Sequence, residues 1–478
     1  MIRVYLDWNI FAYLKQKNES EELYKSIYSI IKRNNDKLLF PYSPAHLQDL
    51  RQGFSETENS IALTYNDLDF LHEISKDHCI YINYKEKNVI PIIKNPREYF
   101  DEIYKDYILD HFSFENLISS DNSEISTLWL KYIELLKSFP TGINFDQVDN
   151  ISKKFGGIKS MFQNTGIENN FYNLLKDVME ITSHPEKYSS IYKSARNASI
   201  QNMKIDTNPE NWGNAFDYMD KVLAKAKLNK TFREMVEDKI KLTKKDEDIT
   251  KFDYFVNYYI SLDTFGYYPD KQLPNLIADA THAYYGAFCD FFVTDDDRTY
   301  HKAKAIYEYM NIGTRVCKAN EFLLEYFSIN KLGNNNVTEK ITKRIVEIIR
   351  RSIILMSSVD NELNPATIYK IQYPLVDYFD RMQITYFKNS TGLLFYKKRK
   401  NYSNFMFWTE IKSVVDKIVF DFGIDDRLKE NFSNQDIEDL KKSNDWKGRI
   451  WLRNEFSLEI IYNDEPIGLS LRVTIDGN

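Results

Sequence analysis

Three consecutive aspartates stand in the segment from Asn275 to Arg298, just after a short apolar run. Within this segment Asp279 recurs at helical spacing with aromatic residues, and Phe291–Val293 predicts a short buried strand that ends shortly before Asp295–Asp297. Ligands of open α/β sheets bind outside the carboxyl ends of the strands. Carboxylates clustered at such an end repel one another unless a cation or a hydrogen-bond network compensates. We therefore expect these aspartates to face either a cation or a network of hydrogen-bond donors.

Two further strand ends near the N-terminus carry polar side chains. Ile2–Leu6 is a β-favouring run that ends at Asp7, and Leu38–Tyr42 is an apolar run that ends at Ser43. Ser43 suits the N-cap of the next helix, which carries Asp49, because a proline follows it at the first helical position. Carboxylates brought together from several elements form oxygen-ligand sites for Mg²⁺ or Mn²⁺. The four acids that this pattern would bring together are Asp7, Asp49, Asp279 and Asp296.

The order of these pieces resembles that of the PIN-domain nucleases. The pieces are YLDWN, a strand followed by SPAHLQD, a helix with the pattern NxxxDxxH, and FFVTDDD. The resemblance implies an α/β fold whose three-layer α/β/α core has a central, mainly parallel sheet. It assigns the family's four acids to Asp7, Asp49, Asp279 and Asp296, the last through a T-x-D pattern that favours it over its two neighbours. The supporting polar residues are Asn9, Ser43, Thr294, Asp295 and His282.

The chain departs from the family pattern in two ways. Family members usually carry glutamate where this chain has Asp49, whose side chain is one methylene shorter. The third and fourth acids normally follow soon after the second, whereas here residues 98–270 intervene with a helical pattern. We therefore expect a split core at residues 1–97 and 271–330, a helical insertion at 98–270, and a C-terminal α+β module at 331–478. That module is expected to begin with a helix over Ile341–Met356.

Composition and charge narrow the class of protein. Three cysteines without a C-x-x-C spacing argue against a disulfide framework or a zinc site. We expect a cytoplasmic protein without a membrane partner, because there is no signal-peptide pattern and no apolar run of membrane-spanning length. A net charge of −7 is not typical of a general nucleic-acid-binding protein, which would be basic. Local basic residues could still contact phosphates or simply be solvated, and these are Arg298, Lys397, Lys398, Arg399 and Lys400.

The resemblance implies a metal-dependent nuclease. One or two Mg²⁺ or Mn²⁺ ions held by the four acids would activate water for attack on a phosphodiester, with RNA favoured over DNA as the substrate. His282 would donate to Asp279 or to a phosphate, or would be a packed or capping residue. By analogy alone, such a chain could be a bacterial toxin or an anti-phage effector gated by a protein partner or by oligomerisation. Two alternatives stay open: an inactive PIN-like binding or scaffold protein, and a small-molecule phosphohydrolase.

Overall fold

The computed structural model describes residues 1–16, 22–33, 37–55, 57–83, 87–104, 192–193, 196–197, 199–227, 229–241, 246–271, 273–333, 345, 348, 350, 353–359, 364–397, 407–441, 446–463 and 468–476. Within these residues the chain is a mixed α/β protein with one parallel and one larger antiparallel sheet. None of the helices in this part of the chain is both long and apolar enough to cross a membrane.

The first part of the chain alternates strands and helices, as its apolar pattern predicts. A proline at the first position of the third helix and the Ser43 side chain at its N-cap set where that helix begins. The elements in chain order are β1 (Ile2–Leu6), α1 (Trp8–Lys15), α2 (Glu22–Arg33), β2 (Leu38–Leu39), α3 (Pro44–Gln52), α4 (Glu58–Ser75), β3 (His78–Asn83), β4 (Asn88–Ile93) and α5 (Pro96–Tyr104).

The elements described between α5 and residue 270 are all helical, which agrees with the predicted helical character of this range. They are a 3-10 helix (Pro209–Trp212), α6 (Ala215–Lys225), α7 (Phe232–Lys241), a second 3-10 helix (Asp246–Asp248) and α8 (Lys251–Thr264). The chain then continues through α9 (Leu273–Gly286), β5 (Phe291–Val293), α10 (Asp297–Tyr309), β6 (Arg315–Cys317) and α11 (Ala319–Gly333).

A parallel sheet of order β2-β1-β5-β6 joins the two ends of the split core. In the register of β1 and β5, Leu6 is paired with Val293, so the two strands end side by side. Successive side chains of a strand point to opposite faces. Accordingly, Val4 and Leu6 pack with α1, α2 and α11 on one face, while Tyr5 packs with α8, α9 and α10 on the other. The sheet is therefore covered by helices on both faces, which is the arrangement expected for a buried parallel sheet.

The helices of the insertion pack directly against the core rather than standing apart from it. The ring of Phe216 in α6 stacks on Tyr309 at the end of α10, with the ring centroids 3.8 Å apart. The ring of Phe255 in α8 lies 5.5 Å from that of Tyr284 in α9. Because α8 contacts both α9 and α10, the loop that follows α8 is brought to the helices that carry Asp279 and Asp296.

The C-terminal module is built on a seven-stranded antiparallel sheet of order β11-β12-β13-β10-β9-β8-β7. The expected helix over Ile341–Met356 is wrong at its end, because residues from Ile353 onwards form the first strand of this sheet. That apolar run has no clear period, so its pattern did not separate helix from strand. The elements are β7 (Ile353–Val359), β8 (Pro365–Leu375), β9 (Phe379–Tyr386), β10 (Ser390–Tyr396), α12 (Trp408–Phe422), α13 (Asn434–Lys441), β11 (Arg449–Leu452), β12 (Phe456–Asn463) and β13 (Gly468–Asp476).

Buried ion pairs attach the C-terminal module to the parallel sheet. Nε of Arg3 in β1 donates to Glu410 in α12 at 2.8 Å, and the Lys397 ammonium lies 2.9 Å from Asp290. Lys397 is buried by this contact, so the expectation that it reaches a phosphate is wrong for this residue, while Lys398, Arg399 and Lys400 lie outside the described residues. Arg3 is near the amino end of β1, so the module docks away from the strand end that carries Asp7.

Candidate metal centre

The adjacent ends of β1 and β5 bring Asp7 and Thr294 together. The Thr294 hydroxyl donates to Oδ2 of Asp7 at 2.6 Å, and Nδ2 of Asn9 donates to the same oxygen at 3.0 Å. The other oxygen of Asp7 accepts the backbone N–H of Trp8 at 2.8 Å, which caps α1. Burial raises the pKa of the Asp7 carboxyl, although the neighbouring His282 opposes this. Asn9 and Thr294, two of the predicted supporting residues, thus both contact Asp7.

Asp296 is held by the same threonine. The backbone N–H of Asp296 donates to the Thr294 hydroxyl at 3.2 Å, and Oδ1 of Asp296 accepts the backbone N–H of Thr299 at 2.8 Å. Asp296 is thus the N-cap of α10, and its second oxygen points away from the capping bond. Arg298 is about one-third exposed, and its guanidinium lies 3.8 Å from that second oxygen. The T-x-D spacing therefore gives one hydroxyl that positions two carboxylates.

The carboxylate of Asp279, on α9, has no neighbouring group in the described part of the chain that neutralises its charge by a direct contact. Among the described residues it makes no hydrogen bond or ion pair of its own, and oxygens of Asp270 and Asp296 lie within 4.8 Å of it and of each other. Burial and the neighbouring charges of Asp7, Asp270 and Asp296 raise the pKa of Asp279 well above its usual value. A cation bound here would therefore favour the deprotonated form of Asp279.

Asp270 belongs to the cluster although the pattern of the sequence did not indicate it. It lies in the loop after α8, and its Oδ2 is 2.5 Å from the ammonium of Lys302, which is itself fully buried on α10. The same ammonium lies 3.0 Å from Asp263. Burial raises the pKa of Asp270 to about 6, with Lys302 opposing the shift. The final residue of the predicted insertion thus supplies a carboxylate to the core site.

One signal for this arrangement was available in the sequence. Thr299, Ala303 and Ile306 form the buried stripe of α10, and Lys302 falls on that stripe. A lysine at a core position is rarely buried without a carboxylate partner. Its partner, however, is contributed by a loop without any periodic pattern, so only the packing of α8 against α10 identifies Asp270.

Asp49 reaches the site indirectly, through His282. Oδ2 of Asp49 lies 2.7 Å from Nε2 of His282, and the Tyr5 hydroxyl lies 2.9 Å from the other ring nitrogen, Nδ1. That ring nitrogen is also 3.8 Å from Asp7. Burial alone lowers the pKa of His282, but the carboxylates of Asp49, Asp7 and Asp279 outweigh burial and raise the pKa to about 9. His282 is therefore an imidazolium shared between two of the predicted acids.

Two of the predicted supporting residues have structural contacts. Ser43 caps α3 by accepting the backbone N–H of Ala45, and its hydroxyl lies 2.6 Å from that of Tyr5. Asp295 accepts the Tyr24 hydroxyl at 2.5 Å and the Ala319 backbone N–H at 2.9 Å. Asp295 therefore joins α2 and α11 to the end of β5, and its oxygens are used in doing so.

The chemistry of this donor set fits a hard divalent cation. Carboxylate oxygens without nitrogen or sulfur donors are the ligands that Mg²⁺ and Mn²⁺ prefer. Three of them, from Asp270, Asp279 and Asp296, lie close enough to share one ion. In addition, Oδ1 of Asn9, beside Asp7, is buried without a hydrogen-bond partner among the described residues, and a metal-bound water would satisfy it.

Comparisons of the chain with protein-family models, with curated proteins and with solved structures returned no match.

Proposed function

We propose that this protein is a Mg²⁺- or Mn²⁺-dependent nuclease that hydrolyses phosphodiester bonds, with RNA as the favoured substrate. The observation that supports the proposal best is the carboxylate of Asp279, which lies beside those of Asp270 and Asp296 and has no partner in the described part of the chain. In a metal-free state this arrangement is unfavourable because like charges are held close together in a partly buried place. A site that costs stability without its cation is characteristic of a functional centre.

The proposed chemistry divides between a metal ion and the side chains around it. When bound, a divalent ion would supply Lewis-acid activation of water and neutralisation of charge on the phosphate. Asp270, Asp279 and Asp296 are the residues that would hold it. Asp7 would accept a proton from the attacking water, directly or through a second water, because it is the remaining acid at the strand end. The phosphorus–oxygen bond to the leaving group then breaks as the new one forms.

Arg298 is the residue proposed to contact the substrate. It lies at the start of α10 beside Asp296, and about one-third of its side chain is exposed. Its guanidinium is planar and carries paired N–H donors, which suits a phosphate oxygen. The preference for RNA is taken from the resemblance to PIN-domain nucleases. The order of Asp7, Asp279, Thr294 and Asp296 along the chain supports that resemblance.

Cleavage by the purified full-length chain tests the proposal. We expect Mn²⁺-dependent cleavage of a labelled single-stranded RNA, and loss of cleavage by at least about a thousandfold in Asp279→Asn. Asp297→Asn is the matched control, because Asp297 stands in the same aspartate run but its side chain is 81% exposed. A matching DNA and a panel of phosphate esters distinguish a nuclease from a small-molecule phosphohydrolase.

The outcomes separate the candidate functions. Equal activity of the wild type and Asp279→Asn on every substrate would rule out catalysis at this site. Metal-independent RNA binding without cleavage would instead favour a binding or scaffold role. Cleavage of phosphate esters alone would point to a phosphohydrolase.

A further inference from the structure

Two buried nitrogen groups, the Lys302 ammonium and the His282 imidazole, contact carboxylate oxygens of the site. The Lys302 ammonium contacts Asp270 at 2.5 Å and Asp263 at 3.0 Å, and it lies 4.5 Å from the centre of the Tyr259 ring. Nε2 of His282 contacts Asp49 at 2.7 Å. The Lys302 ammonium is held by two carboxylates, and Nε2 of His282 is held by one from a separate helix. Both are therefore built into the fold and are not side chains that move freely at the surface.

These contacts limit how many carboxylate oxygens are left for metal ions. One oxygen of Asp270 and one of Asp49 are used by the two nitrogen groups, and Oδ2 of Asp7 already accepts two hydrogen bonds. Among the described residues, the carboxylate oxygens of the site without a hydrogen bond are both of Asp279 and the second ones of Asp49, Asp270 and Asp296. Of these four carboxylates, only those of Asp270, Asp279 and Asp296 have oxygens within 4.8 Å of one another among the described residues, a group of the size that one ion takes.

A centre with two metal ions requires more oxygen ligands than these three carboxylates supply. It holds ions about 3.5–4 Å apart, each with several oxygen ligands and with at least one carboxylate between them. A second ion beside Asp270 would have to share that carboxylate with the Lys302 ammonium. Lys302 cannot withdraw easily, because it is fully buried and is also held by Asp263.

We propose that this site binds a single divalent ion, and that the ammonium of Lys302 occupies the position beside Asp263 and Asp270 that a second ion would take. Lys302 is thus a positioning residue that orients Asp270 toward the ion. Arg196 completes this arrangement, since its guanidinium lies 3.0 Å from Asp263 and donates to the backbone carbonyl of Asp270 at 2.9 Å. The inference rests on the metal site of the proposed function, but it concerns metal binding alone and needs no substrate.

The first test is the number of Mn²⁺ ions bound by the full-length protein without nucleic acid. Isothermal titration and equilibrium dialysis with elemental analysis should give one more tight ion per chain in the wild type than in Asp279→Asn. Subtracting the variant removes ions that bind weakly to exposed acids. A difference of two ions would overturn the inference and leave the proposed function standing. A difference of zero would show that Asp279 holds no tightly bound ion, and it would contradict the proposed function as well as the inference.

The second test compares a variant that removes the positive charge of Lys302 with one that keeps it. In Lys302→Ala, Asp263 and Asp270 lose their shared cation and gain the space it filled, so we expect the count of tight Mn²⁺ ions to rise from one to two. Lys302→Arg keeps the charge and should bind one. A count of one in Lys302→Ala with unchanged affinity would show that Lys302 does not hold a cation's place. If Lys302→Ala does not fold, as circular dichroism would show, the wild-type count and Lys302→Arg still decide.

Discussion

Oδ2 of Asp49 lies 2.7 Å from Nε2 of His282, so the second acid of the pattern bonds to a histidine on the helix that carries Asp279. The short side chain of Asp49 is satisfied by this bond. Asp270 meanwhile enters the cluster from the loop that closes the insertion. The close group therefore consists of three carboxylates, two from the predicted pattern and one from an unexpected part of the chain.

The different positions of Asp49 and Asp270 predict different effects on metal binding. We expect Asp270→Asn to weaken Mn²⁺ binding by more than about 100-fold and Asp49→Asn by about tenfold or less, because Asp49 acts through His282. Titration calorimetry of the two variants beside the wild type measures this. Equal losses of affinity, or a larger loss in Asp49→Asn, would mean that Asp49 is itself a ligand.

Stability should depend on pH in a direction set by the raised pKa values of the site. The pKa of Asp270 is raised to about 6 in the folded protein, so the folded state binds more protons than the unfolded state between the two values. The stability associated with this group is therefore present at low pH and is lost as pH rises through 6. Asp7 and Asp279 shift in the same direction, and His282, with a pKa of about 9, loses its contribution as pH rises through that value.

A metal ion should reverse this loss, because it binds the deprotonated carboxylates. We expect the rise in Tm on adding excess Mn²⁺ to be small at about pH 5 and larger at about pH 7.5. At the higher pH the free energy of stabilisation approaches the roughly 3 kcal/mol given by an ion concentration of about 100 times Kd. Thermal scans with Mn²⁺ and with a chelator measure the difference. Asp297→Asn should keep this pH dependence and Asp270→Asn should flatten it. A rise in Tm that is independent of pH in the wild type would contradict the prediction.

The parts of the site that could be predicted from the sequence are those set by local structure. Asp7 and Thr294 follow strands that are parallel neighbours, and Asp296 caps the helix that begins next to it, so strand ends and capping rules suffice for them. Asp270 and Lys302 meet only because α8 packs against α10, and their separation along the chain carries no local signal. The docking of the C-terminal module likewise depends on long-range contacts, such as that of Arg3 with Glu410.

The Arg3–Glu410 pair should be important for the stability of the whole chain. Both side chains are fully buried, and Arg3 outweighs the effect of burial and lowers the pKa of Glu410. Glu410→Gln leaves a buried guanidinium without its counter-charge, which costs about 3–5 kcal/mol. Thermal unfolding should show a clearly lower Tm. Glu438→Gln is the control, because its pair with Lys441 is exposed and is worth about 0–1 kcal/mol. Similar Tm values for the two variants would mean that the module does not depend on this pair.

Thr294 should control the geometry of the site through one oxygen atom. Its hydroxyl donates to Asp7 at 2.6 Å and accepts the backbone N–H of Asp296 at 3.2 Å. Thr294→Val has nearly the same shape but leaves a buried carboxylate oxygen and an N–H without this partner, at a cost of about 1–3 kcal/mol. Because both acids lose their orientation, we expect metal-dependent cleavage to fall by about 10–100-fold.

Thr294→Ser separates this effect from a loss of packing. Serine keeps the hydroxyl and removes the methyl group, so Thr294→Ser should retain the Mn²⁺ affinity of the wild type even if its Tm falls. Thr294→Val, which lacks the hydroxyl, should bind Mn²⁺ more weakly than the wild type at a temperature where both variants are folded. If Thr294→Ser loses Mn²⁺ affinity and Thr294→Val keeps it, the methyl group and not the hydroxyl positions Asp7 and Asp296. The hydrogen bond at the junction of β1 and β5 would then have no role in metal binding.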